Sequence, residues 1–239
     1  MKKKKLGVLG GMGPAASARF LALLTEFTKT ESEQEHMEII LHSLPSIPDR
    51  TDFILGRSTS SPLPKMKDAV SSLAEVGAEI IAVPCNTAEY FHSQLQASCP
   101  VPILRTAYES AMYASKKGIQ KLGIMATEGT IHSKIYQNHL IPFGVDFCLP
   151  DQSMQAKIND LIYSQIKRSL SPDTNILNTA ETYFRKKGCD AAMLGCTELS
   201  LVPYNRENSF FIDSLSVLAA VCVCECGYTL SKRGECFLT

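Results

Sequence analysis

Apolar positions along the chain alternate between two rhythms. Short uninterrupted apolar runs, bounded by glycine, proline or charged residues, predict strands at 6–9, 38–42, 80–83, 102–104, 122–125, 145–148, 191–194 and 210–212. Between them, apolar residues recur every three or four positions and predict amphipathic helices, among them 15–28, 64–76, 88–97, 131–140, 152–168 and 175–187. Strands that are apolar on both sides suit a parallel sheet covered on both faces by helices. Strand–helix alternation throughout predicts an α/β fold with right-handed crossovers.

The pattern is written twice. "KLGVLGGMGPAAS" from Lys5 aligns with "KLGIMATEGTIHS" from Lys121 at an offset of 116. "GAEIIAVPCNTAE" from Gly77 aligns with "GCDAAMLGCTELS" from Gly188 at an offset of 111, and "VPILRTAYESA" with "SFFIDSLSVLA" at 108. Three blocks in the same order, with offsets drifting by only a few residues, indicate an internal duplication. The expected architecture is two similar lobes, each a mainly parallel sheet flanked by helices, with the functional site between them. Residues 1–104 plus about 214–239 are expected to form the first lobe and 105–213 the second, the last helix crossing back after Asp213.

Composition narrows the function without naming it. Lys plus Arg and Asp plus Glu are 24 each. This balance speaks against a nucleic-acid or membrane-surface partner, for which clustered basic charge is the signature. The one dense run, Lys2 to Lys5, reads as a solvated lead into the first strand. No stretch approaches the roughly 18 apolar residues of a membrane span. The start has a basic leader, but its apolar run is too short for a signal peptide. The nine cysteines are odd in number and lack the spacing of a disulfide scaffold, so reduced thiols and a cytoplasmic location are expected.

Candidate chemistry enters through two of those cysteines. Cys85 in "AVPCNTAEY" and Cys196 in "AMLGCTELS" occupy the same position of the two copies, after a strand and before a polar, helix-starting run. In α/β folds that position faces ligands. A helix N-terminus there is expected to lower a thiol pKa toward neutrality, with Asn86, Thr87, Thr197 and Glu198 suited to capping or to anion binding. If the lobes close on one small molecule, one sulfur can take a proton from carbon while the other delivers a proton to the opposite face. Such a two-base inversion requires no metal and no organic cofactor, only donors that stabilise the carbanionic transition state.

In their order over nearly the whole chain, "VLGGMGP", "IPDRT", "PCNTAEYF", "ATEGTI" and "LGCTEL" resemble the cofactor-independent aspartate/glutamate racemase family, its aspartate racemase branch in particular. The resemblance implies Cys85 and Cys196 as catalytic acid/bases, a small amino-acid substrate and a homodimer. It also implies substrate contacts from Met12, Arg50, Asn86, Thr87, Thr127, Lys167, Thr197 and Glu198. Arg50, after Pro48 and Asp49 in a turn-prone loop, is expected at the rim of the site, where a guanidinium can read a distal carboxylate. Lys167 falls near the end of a predicted helix. In one respect the chain departs from the family: Leu218 stands where members often carry histidine after the aspartate matching Asp213. None of the five histidines has a catalytic pattern around it.

Other readings compete. "GMGPAA" fits the dinucleotide-binding G-x-G-x-x-A, but the second strand ends in "LHSLP", with no Asp or Glu to hold a ribose, and Pro14 lacks an N–H. "CVCEC", Cys222 to Cys226, lacks a second pair of ligands for a metal tetrahedron. Related superfamily decarboxylases keep one of the two thiols, and a hydantoin would make little use of Arg50 and Lys167. A non-catalytic sensor of acidic amino acids on the same fold is the alternative from a different functional class.

Overall fold

The computed structural model describes residues 2–204 and 209–238, so the outermost residues of the expected first lobe, Met1 and Thr239, lie outside the description. The first half runs β1 (Leu6–Gly10), α1 (Pro14–Phe27), β2 (Ile39–Ser43), α2 (Arg50–Ile54), α3 (Leu63–Glu75), β3 (Ile80–Ala82), α4 (His92–Gln96) and α5 (Thr106–Lys116). The second runs β4 (Lys121–Met125), α6 (Glu128–His132), α7 (Ile135–Leu140), β5 (Asp146–Cys148), α8 (Gln152–Asn159), α9 (Asn175–Lys186), β6 (Ala191–Leu194) and β7 (Phe211–Asp213). The chain closes with α10 (Ser214–Glu225) and α11 (Lys232–Glu235).

The strands form two wholly parallel sheets, β2-β1-β3 and β5-β4-β6-β7. The inner strands β1 and β6 are buried along their full length, as are β3 and β7 at one edge of each sheet, whereas the opposite edge strands β2 and β5 are partly exposed. This explains why continuous apolar runs mark the centre of each sheet.

The duplication holds down to single hydrogen bonds. Ile81 N–H donates to the Pro102 carbonyl (2.8 Å), and Ala192 N–H, its repeat equivalent, donates to Phe210, the equivalent of Pro102 (2.9 Å). In the second half this pairing extends into β7, but in the first it stops at one bridge, Ile81 to Ile103. The strand expected at 102–104 is therefore a single rung. Pro100 and Pro102 precede it and have no N–H to donate to a ladder.

Two expected helices are interrupted. The run 131–140 divides at Lys134, whose φ is +55°, into α6 and α7. The run 152–168 stays helical, but its backbone widens to π geometry at 160–165 and tightens to 3₁₀ at 166–168. Within that rewound stretch Tyr163 bonds Thr51, and Lys167 bonds Asp49, both in the first half of the chain. Helix α10 is buried on nearly its whole surface. Leu215, Leu218 and Val223 pack with Leu6 and Phe20, whereas Val217 and Val221 pack with Ala107, Ala111 and Ile124, so this helix joins the cores above both sheets.

Candidate active site

The segments that follow β1, β2, β3, β4 and β6, together with Lys167, line one cavity. It is lined by Met12, Asp49, Arg50, Thr51, Cys85, Asn86, Thr87, Thr127, Lys167, Cys196, Thr197 and Glu198. Its roughly 250 Å³ of non-protein space is in part open to solvent. All ten residues picked from the sequence line it. Asp49 and Thr51 join them; both flank Arg50 in "IPDRT", and their proximity to it was the only sequence signal for them.

Cys85 and Cys196 each stand at the first residue before a short 3₁₀ helix, Asn86–Phe91 and Thr197–Leu201 respectively. Neither segment is the α-helix anticipated there, and neither has a side-chain cap. The polar side chains expected as caps serve other partners. Asn86 donates from Nδ2 to Ser214 Oγ (3.0 Å) and accepts from Tyr136 OH (2.6 Å), both buried. Ser214 Oγ in turn donates to the Leu194 carbonyl (2.7 Å), which fixes the Cys85 loop to β6 of the other sheet. The Tyr136 ring packs so closely on Gly195 that a Cβ there would fall 2.8 Å from it. One side chain thus braces the turns that carry both thiols.

Hydroxyls form a second layer. Thr87 Oγ1 lies 3.0 Å from Thr127 Oγ1 and 2.9 Å from Thr130 Oγ1, and Thr127 caps α6 by accepting from Thr130 N–H. Thr51 Oγ1 donates to Thr127, and Tyr163 OH donates to Thr51 (2.9 Å). The network ties α2, α6 and the π-helical turn together around the cavity.

Charge is arranged asymmetrically about the two sulfurs. Cys196 Sγ donates to Glu198 Oε2 (3.0 Å), which also accepts from Thr197 Oγ1 (3.2 Å). Burial, then the negative charge of Glu198, pushes the Cys196 thiol well above the ordinary cysteine range. The lowering anticipated for this sulfur from a helix N-terminus is therefore reversed: a short 3₁₀ turn carries little dipole, and an adjacent carboxylate opposes a thiolate. Cys85 instead neighbours Arg50. Burial works against the guanidinium charge, but attraction to Cys85, Asp49 and Glu198 more than offsets it and raises the Arg50 pKa.

Arg50 is not at the rim. It is 7% exposed, the first residue of α2, with Nη1 donating to the carbonyls of Ile47 (3.2 Å) and Pro48 (2.9 Å). Its Nε is buried with no hydrogen-bond partner among the described residues. Lys167 holds the outer position, with its side chain 24% exposed, 3.4 Å from Asp49 Oδ2 and 4.4 Å above the Tyr163 ring. Burial opposes its charge, yet Glu198, Tyr163, Cys196 and Asp49 together raise its pKa. Asp49 Oδ1 accepts from Asp52 N–H, so both its oxygens are engaged.

The other singled-out residues lie elsewhere. Leu218 is in the core beside Leu6 and Phe20 and does not line the cavity. Gly11 N–H donates to Ser17 Oγ (2.9 Å), which donates to the Gly13 carbonyl, so the "GMGP" turn folds back on α1. Cys222 and Cys226 pack in the core under α1, and burial raises the pKa of both, that of Cys226 to about 12. Among the described residues no group of three His, Cys, Asp or Glu side chains is placed to hold a metal, and no helix is long and apolar enough to cross a membrane. His139 pairs with Glu89 (2.8 Å) away from the cavity.

The chain is similar to known proteins over most of its length. The chain is 26% identical over 224 residues to the broad specificity amino-acid racemase RacX of Bacillus subtilis, covering 90% of this chain and 94% of that one. It is 24% identical over 211 residues to glutamate racemase of Limosilactobacillus reuteri, covering 87% and 73%. Its structure superposes on that of Picrophilus torridus aspartate racemase with a TM-score of 0.84 at 26% identity, over 99% of this chain and 100% of the other. A family model described as Asp/Glu/Hydantoin racemase matches residues 9–222. The chain belongs to that family, and it is an enzyme of the isomerase class.

Proposed function

We propose that the protein is a cofactor-independent racemase that inverts Cα of an acidic amino acid, aspartate first and glutamate second, with Cys85 and Cys196 as the two acid/bases. The observation that carries this reading is that the repeat-related thiols, far apart in sequence, line one small cavity with two cations. The cations favour a dicarboxylate. Arg50 has a buried, unpartnered Nε to offer an anion, and Lys167 guards the outer side. The aspartate racemase among the similar structures fits the same choice, and RacX extends it to a broader range of amino acids.

In the resting protein the proton belongs on Cys196, which burial and Glu198 keep as a thiol. In one direction of the reaction Cys85, which neighbours Arg50, is the base. It removes the Cα proton and becomes a thiol; Cys196 gives its proton to the opposite face and becomes the thiolate. The negative charge that develops on the substrate carboxylate during this step calls for preorganised donors. Asn86, Thr87, Thr127 and Thr197 surround the cavity and supply them. Each turnover leaves the two sulfurs with their protons exchanged, ready for the opposite enantiomer.

The test is to incubate the protein with each L-amino acid in deuterated water and follow the Cα proton signal. Loss of that signal for aspartate, abolished by Cys85→Ser and by Cys196→Ser in folded protein, is the expected result. Binding without exchange would identify a sensor instead, and near-normal turnover by either variant would remove the two-base mechanism.

A further inference from the structure

Two carboxylates line the cavity, and they differ in one respect. Both oxygens of Asp49 are engaged, by Lys167 and by Asp52 N–H. Glu198 uses only Oε2, shared by Cys196 and Thr197; its Oε1 is buried with no hydrogen-bond partner among the described residues. The residue is 4% exposed. A buried carboxylate oxygen without a donor is costly, by more than a neutral acceptor in the same position, so its retention calls for a reason. The negative charge is felt across the site, since it raises the pKa of Lys167, Arg50 and Cys196. Room is kept beside Oε1: at Gly13 a Cβ would fall 3.3 Å from it, inside the separation that ordinary packing leaves.

Glu198, with this unpaired acceptor, and Arg50, with an unpaired donor at Nε, are both among the residues that line the cavity. A ligand that satisfies both carries an anionic group and a cationic N–H group, as a free amino acid does. We propose that Glu198 is the residue that reads the α-ammonium of the substrate, through Oε1, while Oε2 holds the Cys196 S–H. This rests on the racemase reading and narrows it: the site selects substrates with a free, protonated α-amino group and rejects desamino, N-acylated or ring-closed analogues of the same acid. The double contact also fixes the position of the ammonium relative to one of the two sulfurs.

The test is calorimetric binding of matched pairs that differ only in the amino group: aspartate and succinate, glutamate and glutarate, alanine and propionate. Each amino acid is supplied as the racemate, so that turnover adds no net heat. Wild-type protein is expected to prefer the amino acid in whichever pair binds. Glu198→Gln keeps the shape but removes the charge. It should weaken the amino acid by about 10- to 100-fold, the size of a lost charge-assisted hydrogen bond, and leave the desamino acid unchanged or tighter. Glu198→Asp should recover part of the preference. Equal losses for both members of a pair, no loss for either, or a wild-type protein that binds no member of the three pairs better than its desamino partner would each overturn the assignment. Failure of the racemase reading has a different signature, because a sensor would show the same preference without Cα proton exchange.

Discussion

Removing one oxygen from Tyr136 tests how the two thiol-bearing turns are held. Tyr136 OH donates to Asn86 Oδ1 at 2.6 Å, fully buried, and its ring rests on Gly195. Tyr136→Phe keeps the ring and its packing, so no side-chain-sized cavity opens. It leaves Asn86 Oδ1, next to Cys85, without that donor. A buried acceptor that loses its partner costs about 1–3 kcal/mol, a sizeable share of the roughly 5–15 kcal/mol that holds a domain folded. For a chain of this length the melting temperature should fall by about 2–4 °C per kcal/mol. Urea titration is the assay. The midpoint should drop with the slope unchanged, because the surface exposed on unfolding is the same. A double-mutant cycle with Asn86→Ala sharpens the result. Once the acceptor is gone, Tyr136→Phe should cost much less, giving a coupling energy of about 1 kcal/mol or more. A Tyr136→Phe protein within 0.5 kcal/mol of wild type, or strictly additive variants, would show that this hydrogen bond does not brace the site.

Other outcomes follow from the same geometry. Arg50→Ala should lower kcat/KM for aspartate on the order of 100-fold more than for alanine, since only the dicarboxylate loses charge-assisted bonds; equal losses would confine Arg50 to its contacts with Cys85 and the Ile47 and Pro48 carbonyls. Glu109 on α5 is held above the ordinary carboxylate range by burial and then by Glu225. An acid whose pKa is higher folded than unfolded opposes folding once pH passes its unfolded value, so Glu109→Gln should raise the urea midpoint at neutral pH and leave it unchanged near pH 3. A lower midpoint at neutral pH would reverse the sign and refute it.

Much of the architecture could be read from local pattern because the strands at the sheet centres are apolar on both faces and the two halves share a template. What escaped the sequence depended on contacts across it. Arg50 looked like a rim residue from its turn-forming neighbours, but α2 begins at that residue and draws the guanidinium inward. The helix at 152–168 has a regular apolar rhythm, which conceals the π turn that brings Tyr163 to Thr51, distant in sequence. Asn86 and Thr87 looked like caps because Asn and Thr usually are; their actual partners, Ser214, Tyr136 and Thr130, come from other segments, whereas Thr197 bonds Glu198 beside it. Matched cysteines could be found by alignment of the repeat. The alignment also shows Glu198 in the place of Thr87, but not that Arg50 reaches Cys85 from a distant segment.

The decisive measurement is the isotopic composition of both enantiomers early in a reaction of L-aspartate in deuterated water. Two sulfurs working on opposite faces predict deuterium at Cα of nearly every D-aspartate formed, with the remaining L-aspartate still protonated. Deuterium appearing equally in both enantiomers from the outset, or D-aspartate that keeps the original proton, would mean that a single base serves both faces.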